Sequence, residues 1–350
     1  PPEQVVVGWA IGTLLGGAAQ FLVQVPSLRQ GGWRFRADWA PRDPGLIRIA
    51  RLMAPATAGL AAVEVNILVN SIFASHQPGA VSWLDYAFRL LYLPVGLFGV
   101  ALGTIATAGL ARRAAEGDLD GLRLTLRHSL SLLAYLTLPA TVGLMVLGRP
   151  VVRLIYERGR FTAADTHATA DALLLYSFGL VGYTAVKVLA PAFYALGRAK
   201  VPLVGSVLAV LTNLAIVTAG FPRLGFRAIA IGTAVGSLLN AAWLLASFER
   251  RVGGLRGHGL LRPVLRMALG AFAMGIAVWA AAAGLEMLLG ARDIVARALG
   301  ALVPVALGAG IYVLLTRLLR VGEAEVVWRM FCGLSGRPRA NLPREHHDGR

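Results

Sequence analysis

Apolar residues follow one another in nine long stretches, and each stretch could cross about 30 Å of hydrocarbon as a helix. The stretches lie at 5–25, 46–74, 81–110, 124–147, 165–196, 201–221, 227–248, 264–289 and 295–318. Short polar connectors with glycine and proline separate them. Because hydrocarbon offers backbone groups no water, each stretch must close its hydrogen bonds within a helix. The pattern therefore predicts an all-α polytopic membrane protein with nine transmembrane helices.

The composition agrees with a membrane protein. Of the 350 residues, 57% are hydrophobic and 15% are charged, whereas a soluble domain carries about 25% charged residues. The single cysteine, Cys332, excludes internal disulfides and cysteine metal clusters. The chain opens with "PPEQVVVGWA", which has neither a methionine nor a basic signal region. We interpret this opening as the middle of a longer protein.

The basic residues predict the orientation in the membrane. When the connectors are assigned alternately to two sides, 22 of the 34 lysines and arginines fall on the side of connector 26–45 and 8 on the other. The positive-inside rule then places that side and the C-terminus in the cytoplasm. The net charge of +16 thus reflects topology and attraction to anionic lipid headgroups. Nucleic acid is not an expected partner.

Two segments outside the predicted helices are rich in charge. Connector 26–45, "PSLRQGGWRFRADWAPRDPG", could stack bases on its aromatic rings, but the same pattern is typical of an interfacial segment at a membrane face. We favour an interfacial linker between two lobes. The tail 321–350 is predicted to begin as a short amphipathic helix and to end as a polar segment.

One arginine lies inside an apolar stretch. Arg89 stands in "WLDYAFRLLYLPVGLFGVALGT" (83–104), about 12 Å deep if the helix begins near Val81. An arginine at the bilayer centre costs about 3 kcal/mol on insertion scales. Asp85, one turn earlier, could neutralise it as an internal ion pair. Alternatively, the guanidinium could bind a phosphate in a water-filled cavity, because its fork donates two parallel hydrogen bonds. A resting pair can also open for a ligand, so both interpretations stay open.

The same helix carries small residues and a proline. The spacing places small or polar residues on one face: Ser82, Asp85, Arg89, Gly96 and Gly103. Such a face suits a cavity wall or a close helix contact. Pro94 cannot donate a hydrogen bond to the carbonyl of Leu90, so we expect a kink or a local opening beside the arginine.

Lys187 is a second cation within a predicted helix. Its side chain could reach the headgroups or support a cavity, and the sequence favours neither. Pro191, four residues later, should bend that helix.

A third set of polar residues includes one acid. Glu64 shares a helix with Asn66 and Asn70, and this helix could hold a cation or proton site. Asn213 and Thr233 could add oxygen ligands from other helices if the fold brings them together.

The sequence shows no catalytic constellation. Its histidines lack metal-ligand spacing, and neither a nucleophile elbow nor a phosphate-binding loop occurs. We therefore expect neither an enzyme nor a metal site. Thr162 and Asp165 predict a capping box that opens the helix at 165.

Three longer motifs carry a resemblance. They are "SIFASHQPGAVSWLDYAFRLLYLPVGLFGVALGT" (71–104), "YERGRFTAADT" (156–166) and "LLYSFGLVGYTAVKVLAPAFYALGRAKVP" (174–202). In these motifs and in their order the chain resembles the MurJ/MviN family of lipid II flippases. That family belongs to the multidrug/oligosaccharidyl-lipid/polysaccharide exporter superfamily. The resemblance extends over residues 5–320.

The resemblance implies a fourteen-helix fold of two lobes. The nine predicted helices would match its sixth to fourteenth, so most of the N-terminal lobe is missing. The last helix of that lobe, the linker, the C-terminal lobe and the cytoplasmic tail would occupy 1–25, 26–45, 46–320 and 321–350. The last two helices, 264–289 and 295–318, would form a groove for a lipid tail.

The resemblance also implies a function. A flippase of the bacterial cytoplasmic (inner) membrane would move lipid II, a polyprenyl-pyrophosphate-linked peptidoglycan precursor, to the outer leaflet by alternating access. Arg89 matches a cavity arginine and would hold the pyrophosphate, with flexibility from Pro94 and Pro191. The family usually has an acid directly before this arginine; Phe88 stands there, and Asp85 would substitute.

No cofactor is implied for such a flippase. The membrane potential or a monovalent cation would drive transport. Some family members bind a coupling cation with carboxylates, and because Glu64 is the only acid in the corresponding regions, Na⁺ coupling is doubtful.

Alternatives in three classes stay open. The cargo could be another polyprenyl-linked glycan or a drug, or the chain could be an inactive scaffold. A membrane enzyme acting on polyprenyl phosphates would need acid/base or metal-binding residues at the membrane face, and the short loops offer none. Candidate partners are lipid II, membrane lipids and other cell-wall synthesis proteins.

Overall fold

The computed structural model describes residues 2–30, 43–253, 261–289 and 293–331. Within these ranges the chain forms twelve α-helices, one π-helical segment and no β-strand. Most of the predicted linker and the end of the tail, including Cys332, lie outside the described residues.

The helices follow one another with short connections. They are α1 (Pro2–Gln30), α2 (Pro44–Ser75), α3 (Ala80–Pro94), the π segment (Val95–Val100), α4 (Ala101–Ala115), α5 (Leu119–Tyr156), α6 (Ala163–Phe178), α7 (Leu180–Ala195), α8 (Lys200–Leu224), α9 (Phe226–Val252), α10 (Leu261–Leu289), α11 (Ile294–Leu318) and α12 (Gly322–Phe331).

Many of these helices can cross a membrane. In the described part of the chain, six are long and apolar enough, with α3, the π segment and α4 counted as one, and the bent pair α6–α7 makes a seventh. The apolar stretches Ala10–Pro26 and Ala61–Ser75 are shorter. The predicted all-α polytopic fold is confirmed, while the number nine stays a prediction.

The chain divides into two compact units, Pro1–Arg51 and Leu52–Arg350. The first contains α1 and the beginning of α2, where Asp43 accepts hydrogen bonds from the backbone N–H groups of Gly45 and Leu46 at 2.7 and 3.0 Å. These bonds satisfy donors that the first turn of a helix leaves without partners. The lobe, linker and tail assignments made from the sequence stay predictions.

Three apolar clusters hold the second unit together. The first joins α3, α6 and α9 around Leu84, Leu173 and Ile229, and α5 adds Val152 to it. A second cluster joins α4, α5, α7 and α9. In the third, α10, α11 and α12 pack on the middle of α5 around Tyr135 and Tyr312. Because α5 contributes to all three clusters, it is the helix on which the other helices of the unit pack.

Side chains that are close in sequence cap the N-terminal ends of α5 and α6. Thr162 and Asp165 form the predicted capping box at the start of α6, which is thereby confirmed. At the start of α5, the Asp118 carboxylate accepts a hydrogen bond from the Gly121 N–H at 2.8 Å and pairs with Arg113 at 2.6 Å. The Gly121 hydrogen bond, together with Arg113, lowers the pKa of Asp118 below its ordinary value.

The predicted helix 165–196 is broken rather than continuous. Helices α6 and α7 meet at Gly179 with a bend of 44°. Gly179 packs so closely on α9 that a Cβ there would lie 2.7 Å from the Ala234 Cα. The Ser237 hydroxyl donates to the Gly179 carbonyl at 3.1 Å, so a backbone acceptor at the break is satisfied. Helix α7 continues through Pro191 to Ala195, and the bend expected at Pro191 stays a prediction.

We predict that Gly182→Ala loosens the packing of α7 on α9. A Cβ at Gly182 would lie 2.7 Å from the Ser237 carbonyl carbon, and backbone cannot move aside as a flexible side chain can. The expected loss is about 1–3 kcal/mol of stability, measured as a lower Tm in detergent. Gly143→Ala in α5 is the control, because no atom lies within 4 Å of the added Cβ. Equal Tm values for the two variants would contradict the tight contact.

Candidate functional site

Arg89 lies on the exposed face of α3. The opposite face of this helix buries Leu84, Ala87 and Leu91 in the first apolar cluster. Residues on that buried face recur every three or four positions, so Asp85 and Arg89 must point away from the core. Their side chains are 52% and 68% exposed. Arg89 is nine residues from the start of α3 at Ala80, which is about 13 Å along the helix axis.

The predicted ion pair between Asp85 and Arg89 is present. The Arg89 Nε lies 2.9 Å from the Asp85 Oδ2, in the i,i+4 arrangement. A guanidinium has five N–H donors, and this contact uses the Nε side of the group. The terminal amino groups of Arg89 make no hydrogen bond with another described residue, so they can donate to an additional anion.

The aromatic residues next to Arg89 in the sequence pack against rings from other parts of the fold. The Tyr86 ring lies 4.6 Å from the Tyr156 ring and 5.7 Å from the Phe161 ring, centroid to centroid. Phe88 contacts Tyr176 and Tyr183 at 5.6 and 6.0 Å. Phe88 therefore packs towards α6 and α7, and the acid that pairs with Arg89 comes from the preceding turn.

The π segment changes the face presented by this helix. Buried residues recur at every fourth position: Ala87, Leu91, Val95, Gly99 and Gly103. In a regular α-helix four such steps would turn the face by about 160°. The wider π turn that follows Pro94 compensates for this rotation. A local opening after the proline is thus observed.

The predicted stripe of small and polar residues does not share one face. Asp85 and Arg89 are exposed, whereas Gly103 is buried against α7. A Cβ at Gly103 would lie 2.7 Å from the Lys187 carbonyl oxygen. The expectation assumed a regular helix, and the π segment rotates the positions after Val95 relative to those before it.

Lys187 and Glu64 stand apart from the ion pair. Both side chains are exposed, Lys187 on α7 and Glu64 on α2. Neither makes a hydrogen bond or an ion pair with another described residue. Their predicted roles in supporting a cavity stay predictions.

The polar residues of α2, α8 and α9 converge. The Asn213 amide donates to the Asn66 and Asn70 carbonyl oxygens at 2.6 and 2.8 Å. The Thr233 hydroxyl lies 3.2 Å from the Asn213 Oδ1, and the Asn70 amide lies 3.4 Å from the Thr233 Oγ1. We call Asn66, Asn70, Asn213 and Thr233 the asparagine clamp.

The asparagine clamp joins three helices through neutral groups. The Asn66 and Asn70 amide oxygens accept from Asn213, and the single Thr233 hydroxyl proton is shared between the Asn213 Oδ1 at 3.2 Å and the Ile229 carbonyl at 2.7 Å. In the described part of the chain, no three His, Cys, Asp or Glu residues lie close enough to hold a metal ion. The oxygen atoms foreseen as cation ligands are brought together, and in this structure they make hydrogen bonds with the amide and hydroxyl groups of the clamp.

Sequence reasoning missed a charged cluster around Glu157. This carboxylate is 14% exposed and lies 3.3 Å from Arg153, 3.4 Å from Arg297 and 2.8 Å from the Thr166 hydroxyl. The signal was present in "YERGRFTAADT", which combines charged and aromatic residues at a helix end. Its partner Arg297 is distant in sequence, so only the fold could reveal the cluster.

The long apolar helices define a multi-pass membrane protein. One of these helices carries the exposed Asp85–Arg89 pair, and the neutral asparagine clamp joins three others. The family described as Lipid II flippase MurJ matches residues 2–292 of the chain. Probable lipid II flippases MurJ of Vibrio cholerae and Haemophilus influenzae are 37% and 32% identical to it, over 69% and 77% of its length. The chain belongs to the lipid II flippase MurJ family.

Solved structures agree on the fold. A lipid II flippase MurJ in an inward closed conformation matches 81% of this chain and 56% of its own, with a TM-score of 0.64 and 22% identity. A mutant MATE transporter matches with a TM-score of 0.51 and 16% identity. The chain spans about half the length of the two curated relatives, 46% and 54%.

We predict that Asn213→Ala weakens the docking of α2. Asn213 is 1% exposed, and its loss would leave polar groups of the clamp without partners. Hydrogen bonds between membrane helices contribute about 0.6 kcal/mol each on average, so the expected loss is about 1–2 kcal/mol, measured as Tm in detergent. Asn240→Ala is the matched control, because the buried Asn240 Oδ1 has no hydrogen-bond partner among the described residues. A larger loss for Asn240→Ala would contradict the clamp.

Proposed function

We propose that the protein to which this chain belongs moves lipid II, the polyprenyl-pyrophosphate-linked peptidoglycan precursor, from the cytoplasmic to the outer leaflet. The observation that carries the proposal is the exposed Arg89–Asp85 pair on an apolar helix in a member of the lipid II flippase MurJ family. The chain matches about half of its relatives' length, so transport is assigned to the whole protein.

In this proposal Arg89 binds the pyrophosphate of the lipid. Its free amino groups can donate two parallel hydrogen bonds to phosphate oxygens. Such contacts are stronger in a partly dehydrated cavity than in water. Asp85 holds the guanidinium in place between transport cycles and keeps its charge compensated. When the lipid phosphate binds, it neutralises the charge of the Arg89 guanidinium in place of Asp85. The Asp85 carboxylate is then free to move into the cavity water.

Alternating access requires that the helices repack while the lipid stays chemically unchanged. The protein would act as a transporter and not as an enzyme. The π segment after Pro94 and the break at Gly179 are the points at which α3–α4 and α6–α7 would flex. Lys187 and Glu64 would support the cavity, and the asparagine clamp (Asn66, Asn70, Asn213 and Thr233) would be the place for a coupling cation.

The proposal includes a location and a driving force. The protein would lie in the bacterial cytoplasmic membrane with its C-terminus in the cytoplasm, as the distribution of basic residues predicts. It would need no cofactor. The membrane potential or a monovalent cation would drive transport, and other cell-wall synthesis proteins are candidate partners.

We predict that Arg89→Gln, introduced into the complete gene product, abolishes rescue of cells depleted of their own lipid II flippase. Glutamine fills much of the same space but lacks the charge that holds a phosphate. Protein level and membrane insertion should stay normal, because Arg89 is exposed and packs into no core cluster. Colony growth and immunoblots of the membrane fraction measure the two effects.

Arg112→Gln is the matched control for this experiment. Arg112 also forms an i,i+4 pair, with Glu116 at 4.0 Å, and the two side chains are 70% and 52% exposed. It lies near the end of α4 rather than inside the membrane, so its substitution should leave rescue intact. Full rescue by Arg89→Gln would refute the phosphate-binding role, and equal failure of both variants would show that the effect is not specific to the site.

A further inference from the structure

An arginine-lined cavity lies where helices α5, α10 and α11 meet at their ends. Its volume is about 60 Å³, and its charged lining residues are Arg149, Arg153, Arg297 and Glu286. Arg149 and Arg153 come from the last turns of α5, Glu286 from the end of α10, and Arg297 from the first turn of α11. Three guanidinium groups thus converge on a cavity that has one carboxylate in its own lining.

The two glutamates near this cavity have different roles. Glu157 is held by Arg153, Arg297 and Thr166, and its backbone carbonyl also accepts from Arg297 at 3.2 Å. This acid is part of the packing between α5, α6 and α11. Glu286 is 66% exposed and lies 3.7 Å from Arg153, which is a long contact for an ion pair. Glu286 is therefore the counter-charge that an incoming anion can replace.

The position of the cavity identifies the occupant. It lies where α10 ends and α11 begins, at the level where apolar helices meet lipid headgroups. The later turns of α11 present an apolar surface that includes Val303, Leu307, Gly310 and Leu314. A ligand that fits both features has an anionic head and an apolar chain.

We propose that this cavity binds the phosphate of an anionic membrane lipid. Arg149 and Arg153 donate to the phosphate oxygens, Arg297 adds positive charge, and the acyl chains stay in the surrounding hydrocarbon. Glu286 turns outward into solvent when the phosphate enters. The site is separate from Arg89 and does not require that the protein transports lipid II.

The test measures lipid binding to the purified 350-residue chain in detergent by native mass spectrometry. Phosphatidylglycerol should bind more tightly than phosphatidylcholine. Arg149→Gln should weaken phosphatidylglycerol binding roughly three- to tenfold, as expected for the loss of a hydrogen bond to a charged group. Glu286→Gln should strengthen it, because the competing carboxylate is gone. Arg149 is exposed, so Tm should not change.

Arg223→Gln at the end of α8 is the matched control. Arg223 is also an exposed arginine in the last turn of a membrane-spanning helix, but it lies outside the cavity, so binding should be unchanged. Equal weakening by Arg149→Gln and Arg223→Gln would overturn the proposal in favour of general surface attraction. Equal binding of both lipids, or an unchanged affinity in Glu286→Gln, would also overturn it. If inorganic phosphate competes at concentrations similar to those of the lipid, the site binds free phosphate instead.

Discussion

Hydrocarbon contains no hydrogen-bonding groups, and this constraint explains the architecture. Every backbone polar group within a span needs a partner inside the protein. Most side-chain hydroxyls also find one, by donating to carbonyls one turn back, as Thr137 does to Leu133 and Ser177 to Leu173, at 2.8 and 2.6 Å. Where the helix itself is interrupted, another helix supplies the partner, as Ser237 does for the Gly179 carbonyl. The break at Gly179 thus lies beside a polar residue of a neighbouring helix.

The same solvent removes most of the hydrophobic force between helices, so close packing and polar contacts must replace it. Glycines let α9 approach its neighbours: Gly182 faces the backbone of Ser237, and Gly236 faces that of Ala209. The asparagine clamp adds direction to this contact, because its hydrogen bonds can form only when α2, α8 and α9 are in one register. Small residues and amides thus cooperate, the first setting the distance between helices and the second their alignment.

Local features of the fold could be predicted from the sequence, and non-local ones could not. The Asp85–Arg89 pair and the Thr162–Asp165 box depend only on spacing within one helix, and both are present. The break at Gly179 depends on Ala234 and Ser237 of α9, which no helical periodicity of residues 165–196 reveals. The convergence of the asparagines likewise depends on how three helices meet. The π segment was foreseen as an opening after Pro94, but its rotation of the later residues was not.

The unit contains two groups of paired arginines, one around Glu157 and one at Asp85. They differ in burial, and this difference distinguishes a charge pair with a structural role from a pair that can exchange a partner. Glu157 is largely buried and shared by Arg153 and Arg297, and removing one member would leave another charge desolvated, which is strongly unfavourable. Its geometry is therefore fixed by the fold. The Arg89–Asp85 pair is more than half exposed, so packing does not fix either partner. An arginine kept in an apolar helix without such packing requires another explanation, and the proposed exchange of Asp85 for an anionic ligand would provide one.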